Sequence, residues 1–214
     1  MDLSPIGRAT LVAREGERLT AYRDSVGVWT IGVGITTASG LIVVKPGLTI
    51  TKAESDRLFA LAVEKYVDPV RKALRVDRVW PQEFFDACVS LCFNIGPGGF
   101  AGSSVVRRAN AGDMAGAIEA FLMWNKPAAI ISRRQGERDQ AATPYATTLP
   151  RARRGDASPV KVPAGTAAPP PPRPPDPLAP MTTLQPAPSG GLSSAPSSPG
   201  FWARLHALLS RKAA

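Results

Sequence analysis

Histidine is nearly absent from this chain. Its 214 residues include one, His206, close to the C-terminal end. A zinc hydrolase usually draws on histidine among its ligands, and a Ser-His or Cys-His nucleophile pair needs one beside the nucleophile. Residues 1–205 supply none, so both classes are excluded for that part, and no motif calls for a cofactor or a metal. Cysteine is almost as scarce. Cys88 and Cys92 lie one helical turn apart in an apolar run, a spacing that rarely suits a disulfide. Two buried thiols are expected, and nothing demands an oxidising compartment. No window of 18 or more uninterrupted apolar residues occurs, so no membrane-spanning segment is expected. The segment Met1–Arg8 lacks the apolar stretch of a signal peptide. Synthesis as a soluble cytoplasmic product is therefore expected, with any export left to another component.

Acidic residues are also in deficit, but only locally. The chain carries 26 Lys and Arg against 17 Asp and Glu, a net +9. Residues 1–150 hold 18 against 15, whereas residues 151–214 hold 8 against 2. The basic excess is thus mainly a property of the tail. It suits a polyanionic surface, yet no nucleic-acid motif accompanies it and no nucleic-acid partner is expected. The tail is also where composition changes. Residues 155–200 contain 14 of the 22 prolines, including the run Pro169–Pro172. Such text cannot bury a core, and an extended linker over 150–199 is expected. Beyond it, Phe201, Leu205, Leu208 and Leu209 share helical spacing, flanked by Arg204 and Arg211. A short basic amphipathic helix over 200–214 is expected, suited to an anionic membrane or envelope surface.

The remaining 149 residues are 1–149, and the chain's 44% hydrophobic content suffices for a core there. Residues 5–15 read as a helix whose buried face is expected to be Ile6, Ala9 and Ala13, widened by Val12. Gly16 stands where helices commonly end. Residues 19–35, rich in β-branched and aromatic types and punctuated by Gly27, Gly32 and Gly34, suit an antiparallel hairpin. Leu41–Val44 suits a further strand. Thr51-Lys52-Ala53-Glu54 has the form of a capping box and opens a long helix, 52 to about 74, which Pro69 is expected to bend or divide. A helix over 81–93 is expected to stop at Asn94-Ile95-Gly96-Pro97-Gly98-Gly99-Phe100. Shorter helices follow at 103–110, 113–124 and 132–141. This pattern predicts an α+β fold, mainly α, in which a small α/β lobe and a helical lobe are joined by the long helix, with a cleft between them.

Within that frame two carboxylates stand out. Glu15 falls at the end of the first helix and Asp24 at the start of the hairpin. Glycosidic bond hydrolysis needs such a pair, one to protonate the leaving oxygen and one to activate or position water. A proton donor of this kind requires a desolvated setting that raises its pKa. Glu17, two residues on from Glu15, should point elsewhere. Taken singly, each residue has an ordinary reading: Glu15 as a helix-end carboxylate paired with Arg14 or Arg18, Asp24 as a turn residue, Thr30 as a strand threonine. The weight lies in the set.

The set resembles the phage-type lysozymes. Glu15-Gly16-x-Arg18-Leu19-x-Ala21-Tyr22-x-Asp24, followed by Gly27-x-Trp29-Thr30-Ile31-Gly32-x-Gly34, is similar to the catalytic signature of that family. Phe93–Phe100, Ser103–Asn110 and Phe121–Asn125 also look like family text, so the resemblance covers about residues 6–145. It implies a lysozyme-like fold and a monomeric endolysin of the host cytoplasm. Such an enzyme acts on the wall after release, cleaving the β-1,4 bond between N-acetylmuramic acid and N-acetylglucosamine of peptidoglycan. By this resemblance Glu15 is the proton donor, Asp24 positions the water and Thr30 helps hold it, with inversion at the anomeric carbon. Asn94 and Gly96 would line the cleft as substrate-binding residues, and Arg133, Arg134 and Glu137 would form structural ion pairs. One departure is visible: Ile35 stands where many members carry a histidine that pairs structurally, which implies altered stability more than lost catalysis. A lytic transglycosylase, which needs no water-activating carboxylate, and a non-catalytic wall-binding protein are the alternatives. The presence of both Glu15 and Asp24 argues against each.

Overall fold

A computed structural model describes residues 1–162, so the greater part of the expected linker and the expected helix over 200–214 lie outside the described residues. The first helix, α1 (Pro5–Glu15), starts with its donors satisfied: the Ser4 hydroxyl accepts from the Gly7 amide at 2.9 Å, and Pro5 occupies the first turn, where its missing N–H costs nothing. Its buried face differs from the expected one. Ile6, Gly7, Thr10, Leu11 and Arg14 are buried, whereas Ala13 is exposed. Polar Thr10 and Arg14 go inside because they find partners there, Thr10 donating to the Ile6 carbonyl at 2.7 Å and Arg14 to Gln140 at 2.7 Å.

Gly16 at φ 78° ends α1 and turns the chain into β1 (Arg18–Arg23). With β2 (Trp29–Gly32) and β3 (Ile35–Thr36) it forms an antiparallel sheet of order β1-β2-β3, so the expected hairpin is a three-stranded meander. Tyr22 lies opposite Thr30, and a bulge interrupts β1 between Arg18 and Tyr22. Leu41–Val44, expected as a strand, is irregular. Residues 48–50 pair with β1 instead, the Ala21 amide donating to the Leu48 carbonyl and the Ile50 amide to the Leu19 carbonyl.

Helix α2 (Lys52–Ala73) is capped by Thr51, whose hydroxyl accepts from the Glu54 amide at 3.1 Å. The Glu54 carboxylate turns to Arg57 instead of completing the capping box. Pro69 lies inside α2 without dividing it. This helix serves both lobes from two stripes. Leu58 and Ala62 join Ile31, Ile35, Val44 and Ile50 in the core of the small lobe. Phe59, Val63, Val67 and Val70 join the larger core, with Phe84, Phe85, Leu91, Phe100 and Phe121. Each such side chain removed from water contributes roughly 1.5–3 kcal/mol.

The centre of the helical lobe is α3 (Gln82–Ala101), followed by α4 (Ser104–Ala111), α5 (Met114–Glu119) and α6 (Ile131–Ala142). Where a stop at Asn94 was expected, α3 kinks at Gly96 (φ 81°, ψ 159°) and resumes from Pro97. Proline is tolerated there because it begins the second segment. By length and a mean hydropathy of 1.2, α3 alone among the described helices could cross a bilayer, but 61% of that stretch is buried within the fold, as befits a core helix. Cys88 and Cys92, on α3, are buried free thiols.

Candidate active site

Because Gly16 terminates α1, Glu15 is left at the junction of the two lobes. Its side chain is 5% exposed and meets the guanidinium of Arg133 on α6, itself 1% exposed, at 2.6 Å. Neither Arg14 nor Arg18, the partners in the ordinary reading of Glu15 taken singly, takes that place. Arg14 turns inward to Gln140 and to the Ala152 carbonyl, and burial lowers its pKa to about 10. Arg133 also donates to Glu137 at 3.0 Å, and Ser90 donates to the same carboxylate oxygen at 2.7 Å. Arg134 bridges Glu137 and the Asn94 side-chain carbonyl. Burial alone would raise the Glu137 carboxyl, but Arg134, Arg133 and Arg14 outweigh it and hold the group down at about 2. Burial likewise opposes the charge on Arg133, yet Glu15 and Glu137 together push its pKa up. Glu15 and Glu137 thus share one buried cation.

Asp24 is set by the turn that follows β1. Its Oδ1 accepts from the amides of Val26 at 3.0 Å and Val28 at 2.8 Å. The Val28 carbonyl in turn accepts from the Asp24 amide at 3.0 Å and the Thr30 hydroxyl at 3.1 Å. One residue's backbone therefore ties Asp24 to Thr30. Tyr22, opposite Thr30 in the sheet, reports on both carboxylates: burial raises its pKa first, and Asp24 and Glu15 add to the rise while Arg18 opposes it. The Arg18 guanidinium lies over the Tyr22 ring, 4.5 Å from its centroid. Glu17 points away, accepting from Ser55 on α2 at 2.6 Å. Among the described residues no cluster of three His, Cys, Asp or Glu suits a metal ion.

These residues fall within the stretch 12–137 that matches the family model "Phage lysozyme". The chain belongs to the phage lysozyme family. It is 40% identical over 142 residues to the endolysin of Salmonella phage P22, an alignment covering 64% of this chain and 96% of that protein. The SAR-endolysin of Escherichia phage 933W is 41% identical over 114 residues, covering 53% of this chain and 63% of the relative. The fold is similar to a crystal structure of a P22 lysozyme mutant, with a TM-score of 0.62, 38% identity and coverage of 67% of this chain and 99% of that one. It is also similar to the muramidase domain of SpmX from Asticaccaulis excentricus, with a TM-score of 0.58, 30% identity and coverage of 66% and 98%.

Two expected substrate contacts look different within this phage lysozyme fold. Asn94 is buried, 7% exposed, and its side-chain carbonyl accepts from Arg134, which ties it to the ionic cluster. Gly96 forms the kink of α3, with open space where a side chain would stand. Ile35, where the resemblance led to the expectation of a departure, is 3% exposed and packs in the small-lobe core. Sequence reasoning missed Arg133 as the partner of Glu15. The family-like Arg-Arg-x-x-Glu stretch marked it as ionic, but nothing local said which carboxylate it would meet.

Proposed function

We propose that the chain is an endolysin that cleaves peptidoglycan as an inverting muramidase, hydrolysing the β-1,4 bond between N-acetylmuramic acid and N-acetylglucosamine. The observation supporting this reading is the placement of two carboxylates, Glu15 buried against Arg133 at 2.6 Å at the end of α1 and Asp24 held by two backbone amides in the turn after β1. Glu15 protonates the glycosidic oxygen as the bond to the anomeric carbon breaks. Asp24 Oδ1 is occupied by two amides, which leaves Oδ2 to accept a proton from the attacking water. Thr30 gives its own hydroxyl proton to Val28, so toward that water it acts as an acceptor. A water donating to both acceptors would keep a lone pair for the anomeric carbon, and inversion calls for such a water between the two carboxyl groups. Gly96, backed by the α3 kink, is the proposed substrate contact of the helical lobe. The enzyme is proposed to be made as a monomer in the host cytoplasm and to reach the wall after release, its tail (163–214) contacting an anionic envelope surface.

The test is product chemistry on purified peptidoglycan. Inverting hydrolysis yields reducing ends of N-acetylmuramic acid formed first as the α-anomer. The β-anomer would instead indicate retention, and 1,6-anhydro ends would indicate a transglycosylase.

A further inference from the structure

The fold continues past the expected boundary at 149. Residues 150–160 form a closed loop, the Val160 amide donating to the Pro150 carbonyl at 2.9 Å and the Arg153 amide to the Asp156 carboxylate at 2.8 Å. Ala152 and Val160 are buried. This loop lies beyond the residues 12–137 that the family model matches.

Its contacts fall at two adjacent points. The Arg153 guanidinium donates to the Arg14 carbonyl at 2.8 Å, and the Arg14 guanidinium returns a bond to the Ala152 carbonyl at 3.0 Å. The Arg154 amide donates to the Ser132 carbonyl at 2.9 Å. Arg14 immediately precedes Glu15, and Ser132 immediately precedes Arg133. The loop therefore grips the backbone next to each member of the Glu15–Arg133 pair. Gly136, one turn along α6, lies against it so closely that a Cβ there would stand 2.9 Å from the Ala152 carbonyl oxygen and 3.2 Å from the Arg153 Cα. The absence of a side chain at 136 is what lets the loop seat.

We propose that residues 150–160 are a positioning strap for the Glu15–Arg133 pair, with Arg153 as the positioning residue that fixes the end of α1. The proposal rests on the reading of Glu15 as proton donor. A general acid must be held within a fraction of an ångström of the leaving oxygen, and small displacements cost rate without weakening binding. The strap supplies that constraint from outside the cleft: it ties α1 to α6 so that the carboxylate and its counter-cation move together.

The experiment uses the full chain and soluble peptidoglycan fragments, with kcat and KM measured well below each variant's melting temperature. Arg153→Ala is expected to lower kcat about tenfold with KM little changed. Arg153→Lys, which keeps a donor for the Arg14 carbonyl, should recover most of that loss. Gly136→Ala, which displaces the strap backbone, should lower kcat in the same way without touching Arg153. Unchanged kcat in both Arg153→Ala and Gly136→Ala would overturn the proposal, whatever their melting temperatures do. So would a loss residing wholly in KM. Glu15→Gln in the same assay separates the two claims. If Glu15→Gln stays active, the proton-donor reading fails. If it is inactive while Arg153→Ala and Gly136→Ala both work at the wild-type rate, the strap alone fails.

Discussion

At the scale of single residues, the buried cluster around Arg133 decides how the site behaves. Two carboxylates (Glu15 and Glu137) and three guanidiniums (Arg14, Arg133 and Arg134) have left water, and removing one member would leave uncompensated buried charge. Glu137 shows the consequence with pH. Its folded-state value of about 2 lies below its ordinary 4.5. The unfolded chain therefore binds the proton more readily than the folded one. The stability this group contributes is present in full above about 4.5 and is lost as the pH falls from there toward 2. The contribution is on the order of 3 kcal/mol. Glu137→Gln should accordingly be much less stable than the wild type at pH 7, and denaturant titrations should show that gap narrowing at pH 3. A gap independent of pH would mean that Glu137 is not charged in the fold. The sequence marked Glu15 and Asp24 by a spacing similar to a known pattern, and it placed Glu15 correctly at the end of α1. Arg133 was not legible as the partner of Glu15, because that contact depends on how α6 packs against the end of α1.

Among the elements, α3 separates what local rules convey from what packing decides. Gly96-Pro97-Gly98-Gly99 reads as a stop, and glycine and proline do break the regular backbone, since Gly96 sits at φ 81° and ψ 159°. The chain nevertheless re-enters a helix, because Phe100 must reach the core that Phe84 and Phe121 already occupy. Helix α1 shows the reverse case. Its limits were readable from Ser4, Pro5 and Gly16, but its buried face was not, since Thr10 and Arg14 become core residues only when their partners are in place. In α2, caps and pattern agreed, and the helix followed. The conformation at Gly96 is one that residues with a Cβ adopt only under strain, costing about 1–3 kcal/mol. Nothing lies within 4 Å of the position a Cβ would take. Gly96→Ala should therefore lower the urea midpoint through backbone strain alone, leaving the dependence on denaturant unchanged. An unchanged midpoint would mean that the kink relaxes freely.

For the whole molecule, α2 is the link between the lobes: one helix whose two stripes belong to two cores, so that each lobe's packing orients the other. The sheet carrying Asp24 and Thr30 and the helical lobe carrying Arg133 are registered through it. Among the described residues the fold extends through the loop at 150–160. By sequence, residues 163–214 carry 4 Lys and Arg against one Asp. Removing 163–214 should leave hydrolysis of purified peptidoglycan nearly intact and weaken both binding to anionic vesicles and attack on whole cells. Equal performance of the two forms on vesicles and cells would remove any envelope role for the tail. The most direct test of the central claim is the rate of reducing-end release from purified peptidoglycan by wild type and Glu15→Gln, with circular dichroism confirming that both are folded. A fall of about a hundredfold or more in the folded variant is the predicted result, in line with loss of a general acid. A folded Glu15→Gln that releases reducing ends at the wild-type rate would contradict it.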